Sequence, residues 1–176
     1  RPSLRGGARL ASGAWAVVFV ALLAGSAYYP PAAAASKARL FEGEATLDGL
    51  AYIGVGGSEY GAIEFLREEV GDDSAILEAV GGDYSSHGRI SGSTGIPTVL
   101  GWPGHEVQWR GSGDLLEGRE EDVRRVYQDS DAEVAKNLLE KYAVDYVYVG
   151  QREREKYGVE GLAKFESFMD VVYSGA

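Results

Sequence analysis

The chain has 176 residues, 45% hydrophobic and 25% charged, with a formal charge of −10 and no cysteine. The missing cysteine excludes a disulfide framework and a thiol nucleophile. With the three arginines of the first 36 residues set aside, 14 of the 17 Lys and Arg remain against all 27 Asp and Glu. That is a formal −13 on about one domain's length, which makes nucleic acid and an anionic lipid surface poor partners for the soluble part.

The first element is apolar. No charge interrupts the 27 residues from Leu10 to Ser36, and Arg1, Arg5 and Arg9 precede them. Its core, Leu10 to Tyr28, would rise roughly 28 Å as a helix, about one hydrocarbon thickness. A cleaved secretory signal, with PPAAAAS as its small-residue segment, fits the same pattern. Arg1 in place of an initiator methionine favours a spanning helix inside a longer protein. The positive-inside rule then puts Arg1 to Arg9 on the cytoplasmic side, with Trp15, Tyr28 and Tyr29 near the interfaces. Two regions are expected: residues 1–36, a transmembrane helix with its basic flank and small-residue linker, and residues 37–176, a soluble domain on the extracytoplasmic side of the cell membrane.

From Ala38 to Gly57 the chain reads as an extended connector. A helix follows from Ser58, with Ile63, Leu66 and Val70 at helical spacing and Gly71 to Asp73 ending it. Ser74 to Val80 reads as a buried strand, and Thr98 to Leu100 as a second. Gly82 to Gly111 reads as one long glycine-rich loop. Helices are expected over Arg119 to Tyr127 and Ala132 to Tyr142, the second opened by a Ser130/Glu133 capping box. Asp145 to Val149 reads as a strand, Val159 to Phe168 as a helix with Leu162 and Phe165 inward, and Val171 to Tyr173 as a last strand. This alternation predicts a small α/β domain with a mixed sheet of about four strands.

Candidate chemistry concentrates in the loop, which holds both histidines, His87 and His105, and two of three tryptophans, Trp102 and Trp109. Trp102, Trp109 and Tyr84 with Arg89, Arg110, His105 and Glu106 suit a sugar or polyprenyl-linked sugar. Aromatic faces take the apolar side of a sugar ring, and arginine forks take carboxylate or phosphate. Covering a small core is the plainer role for the tryptophans. Glu78, a carboxylate in an apolar strand, needs a partner, and Arg89 and Arg110 are the natural ones, in a structural ion pair or at a ligand crevice. Asp83, His87, His105 and Glu106 are nitrogen and oxygen donors of the kind zinc takes, but HEVQW lacks the second histidine of the helical zinc motif, so no metal is assigned. Gly54, Gly56 and Gly57 suggest a dinucleotide turn, yet Glu59 stands where the third glycine belongs and would repel a phosphate.

The run GRISGSTGIPTVLGWPGHEVQWRG, preceded by TLDGLAYI and ILEAVGGDY and followed by YAVDYVYVGQRE and GLAKF, resembles the C-terminal part of the YYY membrane protein family. That is a domain-of-unknown-function family of large polytopic membrane proteins, grouped with integral-membrane glycosyltransferases that use lipid-linked sugar donors. The resemblance covers nearly the whole chain. It implies that Gly13 to Tyr29 is the last membrane helix of a longer protein and that the rest is its extracytoplasmic domain. Glu78, Arg89, Thr94, Gly95, Pro97, Trp102, His105, Glu106, Trp109 and Arg110 are the motif positions, without assigned roles.

In glycosyltransferases of this type the catalytic acid lies in an early extracytoplasmic loop, so this chain alone is expected to be inactive and to complete a substrate pocket. The implied partners are the membrane, the upstream membrane domain of the same protein, and a glycan or polyprenyl-linked sugar. The lipid-linked sugar donor and any divalent metal belong to the full-length protein, with no cofactor in this chain. The alternative is a membrane-anchored glycan- or protein-binding module without enzymatic activity, and a more remote one is a metal-dependent hydrolase built on His87 and His105.

Overall fold

The computed structural model describes residues 3–38, 46–54, 56–71 and 73–175. It divides into two compact units, Arg1–Leu47 and Asp48–Ala176. In the first, α1 (Ser3–Ala38) runs 36 residues, about 54 Å at 1.5 Å per residue. Its segment Gly7–Lys37 is long and apolar enough to cross a membrane, with a mean hydropathy of 1.9 and none of that apolar window buried. A membrane anchor and a signal sequence both satisfy that description. Residues 39–45 of the expected connector lie outside the described residues, as do Val55 and Asp72.

The second unit corrects the predicted fold class. The chain is mostly helical, about 60%, and its sheet among the described residues is two parallel strands of two residues each, not a mixed sheet of four. After a short 3-10 turn at Ala51–Ile53 come α2 (Ser58–Glu69), β1 (Ile76–Leu77), α3 (Arg89–Thr94) and α4 (Pro103–Arg110). Then follow α5 (Arg119–Gln128), α6 (Ala132–Lys141), β2 (Tyr146–Val147) and α7 (Gln151–Tyr157). Ile76 faces Tyr146 and Leu77 faces Val147, and Thr98 adds a single parallel bridge to Ile76.

The strands are short because side chains take over their hydrogen bonds. Past Leu77, the Ala79 N–H goes to Glu153 Oε1 at 3.0 Å and the Val80 N–H to the Tyr157 hydroxyl at 3.3 Å. The Tyr127 hydroxyl sits between the carbonyls of Leu77 (3.1 Å) and Tyr148 (2.8 Å). Every polar backbone group in this buried segment still needs a partner, but a partner from α5 or α7 ends the ladder. Val171 to Tyr173 is not a strand. Tyr173 packs its ring on Phe65 at 5.4 Å and its hydroxyl reaches the Ser58 carbonyl.

Successive strand residues point to opposite faces, and the core follows that rule. Ile76 packs with Leu50, Ile63, Leu66, Ile90 and Ile96 on the side of α2 and α3. Leu77 packs with Val123, Val126, Tyr127, Leu138 and Leu139 on the side of α5 and α6. Tyr127 is fully buried and stacks on Tyr157 at 4.8 Å. The α6 cap lies one residue later than expected: Asp131, not Ser130, accepts the Glu133 N–H at 2.9 Å. Val159 to Phe168 is a 3-10 turn over Leu162–Ser167, with Leu162 and Phe165 against the core.

Candidate functional site

Gly82 to Gly111 is not an irregular loop. It contains α3 and α4, and a carboxylate from outside each helix holds its N-terminus. Glu78 lies on the Ile76 face of its segment, 2% exposed, and so meets α3: Oε2 accepts the Ile90 N–H at 3.0 Å and Oε1 the Ser91 N–H at 2.9 Å. Asp83 does the same for α4, its Oδ1 accepting the N–H groups of Gly104 (3.0 Å) and His105 (3.3 Å). Both acids satisfy first-turn donors that six- and eight-residue helices cannot satisfy themselves. Gly95 and Gly111 close the two helices at φ 83 and 75, a conformation that suits glycine.

The expected pairing of Glu78 with Arg89 or Arg110 does not form. Arg89 makes a two-pronged ion pair with Glu59 and donates to the Ser86 carbonyl at 2.7 Å. Arg110 pairs with Glu106 one turn back on α4 at 2.7 Å, on an open face. Burial raises the Glu78 carboxyl above its ordinary value, while the hydrogen bonds from α3 pull the other way and nearby Glu153 adds to the rise.

Among the predicted site residues, Tyr84, Trp102 and His105 come together. Their rings lie 5.4 Å apart for Tyr84 and Trp102, 4.8 Å for Tyr84 and His105, and 5.2 Å for Trp102 and His105, the histidine edge-on to both. Tyr84 is 78% exposed and holds a positive φ of 57, so the corner opens to solvent. Trp102 is anchored beneath by its Nε1–H, which donates to the His87 carbonyl at 2.7 Å. Trp109 is 84% exposed and outside this ring contact.

His87 sits behind the corner. Its Nδ1 lies 3.1 Å from Ser85 Oγ, and the same hydroxyl accepts the His87 N–H at 3.3 Å. Burial lowers the His87 proton affinity first, and Lys156, Arg152 and Arg89 lower it further. Among the described residues no three His, Asp or Glu gather to hold a metal ion. Asp83 is spent on α4, and Glu106 on Arg110.

Arg152 and Lys156 were outside the predicted site; Lys156 reaches the Val80 carbonyl at 2.5 Å, next to the Gly81 that abuts His87. They lie on QREREKY, a stretch polar nearly throughout, whose role shows only once Glu153 and Tyr157 are placed against Ala79 and Val80. Glu59 likewise has no sequence signal as the partner of Arg89, 30 residues away. An open cleft of about 580 Å³ lies elsewhere, lined by Glu120, Glu121, Arg124, Gln128, Lys156 and Tyr157 among others. None of the predicted site residues lines it, and its ion-paired surface carries less chemistry than the aromatic corner. Comparison with family models, curated proteins and solved structures finds no match.

Proposed function

We propose that this chain is the C-terminal, extracytoplasmic part of a polytopic membrane protein resembling lipid-linked-sugar-dependent glycosyltransferases, and that residues 82–111 recognise a glycan or polyprenyl-linked sugar without breaking bonds themselves. The observation that carries the reading is the solvent-open corner of Tyr84, Trp102 and His105. It offers aromatic faces for the apolar side of a sugar and an imidazole edge for its hydroxyls. The fate of the acids supports recognition over catalysis: Glu78 and Asp83 both bind backbone N–H groups and are not free to shuttle protons. The apolar span Gly7–Lys37 supports a membrane setting.

The test is tryptophan fluorescence of the chain in neutral nanodiscs, titrated with a panel of oligosaccharides and a polyprenyl-linked sugar. Saturable quenching that is lost in Tyr84→Ala and His105→Ala, with unchanged unfolding midpoints, is the expected result. Equal quenching in both variants, or no saturable ligand in the panel, sinks the reading.

A further inference from the structure

Residues 170–175 lie against α2 and belong to neither core cluster. Val171 is 79% and Val172 57% exposed, so the apolar side chains of this stretch are not what fastens it. Its backbone does not fasten it either. The last backbone bond before it is the Met169 N–H to the Phe165 carbonyl at 2.8 Å, and among the described residues no backbone group from 170 to 175 makes a hydrogen bond.

One side chain holds the segment in place. Tyr173 lays its ring on Phe65 at 5.4 Å and directs its hydroxyl to the Ser58 carbonyl at 3.4 Å. Gly61 makes room for the phenol, since a Cβ there would overlap the Tyr173 hydroxyl. Glycine is a poor residue inside a helix, and Gly61 has no positive φ that would call for it. Its contribution is the notch. Beyond the tyrosine, Gly175 packs so closely on Ser58 that a Cβ there would overlap the Ser58 side chain.

A segment with one anchoring side chain and no backbone hydrogen bonds opens at far lower cost than the whole fold. Its seat is the first turn of α2, where Ser58 is followed by Glu59, the partner of Arg89 on α3. We propose that residues 170–175 are a releasable strap, latched by Tyr173 in the Gly61 notch, which opens while both cores stay folded. Closed, it braces the turn from which Glu59 holds Arg89. The occupant of the notch is Tyr173 of the same chain. The strap does not depend on the glycan reading.

The experiment treats the full chain in phosphatidylcholine nanodiscs with chymotrypsin under native conditions, the cuts being read by mass spectrometry. Cleavage after Tyr173 follows the open population when opening is fast relative to cutting. In Gly61→Ala it should be roughly tenfold faster, with a melting midpoint no lower than that of the wild type. The chain has no cysteine of its own, so Ser58→Cys with Gly175→Cys provides a lock. The two Cβ positions start closer than the roughly 3.8 Å of a disulfide, a gap that a movable strap can open. Oxidation of this double variant should slow the cut roughly tenfold relative to the same protein reduced. In Tyr173→Ala the midpoint should stay at the wild-type value, while the Arg89 Nε–H, followed by NMR, should exchange with solvent roughly threefold faster. A wild-type cutting rate in G61A, a lowered midpoint in Y173A, or a disulfide that fails to form within one chain overturns the strap. Unchanged exchange at Arg89 overturns its role as a brace.

Discussion

Glu78 Oε1 accepts the backbone N–H of Ser91 at 2.9 Å, and through this contact a strand-end carboxylate replaces the side-chain cap that Gly88 cannot give α3. Its second oxygen holds Ile90, so an acid in an apolar segment becomes the fixing point of the helix that carries Arg89. Glu78→Ala should cost about 2–4 kcal/mol, since it leaves two N–H groups without acceptors in the core. Urea unfolding measures it, and a loss below about 1 kcal/mol would mean that water replaces the carboxylate.

The same residue predicts a pH dependence. Its folded carboxyl is raised by burial above its unfolded value, so the folded state holds the proton more tightly. Its contribution is fully present below the unfolded pKa and fades as pH rises through the folded one. Asp122 has the opposite sign. Burial acts to raise it, but Lys141 and Tyr142 outweigh burial and hold it below the ordinary value, so its contribution is lost on acidification. The stability difference between wild type and Glu78→Gln should therefore drift against the wild type as pH rises above the ordinary carboxyl range. Asp122→Asn should flatten the acid limb. Parallel stability curves for all three proteins would contradict both assignments.

Asp83 holds α4 from outside the helix, and a Cβ on Gly104 would overlap its carboxylate. Asp83→Ala and Gly104→Ala should act alike, each costing about 0.5–2 kcal/mol, the range for loss of a cap. Amide hydrogen exchange at Gly104 and His105 should quicken in both. If only Asp83→Ala has an effect, the contact is looser than the geometry states.

Tyr127→Phe removes the hydroxyl between the Leu77 and Tyr148 carbonyls and leaves the stacked ring in place. The Leu77 carbonyl keeps the Tyr148 N–H at 2.9 Å, so a loss of about 1–3 kcal/mol follows from stranding the Tyr148 carbonyl. Denaturant midpoints report it, and an unchanged midpoint would show that the two strands do not need this bridge.

Arg89 and Glu59 tie α3 to α2 through a two-pronged ion pair. Arg89→Lys keeps the charge and loses the fork, so about 1–3 kcal/mol should disappear. A double-mutant cycle with Glu59→Gln should give a coupling of at least about 0.5 kcal/mol. A smaller coupling would mark the pair as solvent-screened.

The sequence pattern by itself determined the long apolar helix and the helices α2, α5 and α6. Those segments repeat apolar residues at helical spacing, as with Ile63 and Leu66 or Val134 and Leu138, and a local period needs no distant partner. It also located the buried segment around Ile76, the half-buried one around Tyr146 and the stretch where the aromatic corner forms.

Only the tertiary structure decided how much of those segments is sheet, because Glu153, Tyr157 and Tyr127 arrive from distant helices to take hydrogen bonds that a longer ladder would have used. It decided that Gly82 to Gly111 holds two helices, since each is too short to stand without a carboxylate reaching it from Glu78 or Asp83. The partner of Arg89 was settled the same way. Pairing across 30 or more residues is a matter of where the core places each backbone, and local periodicity does not encode it.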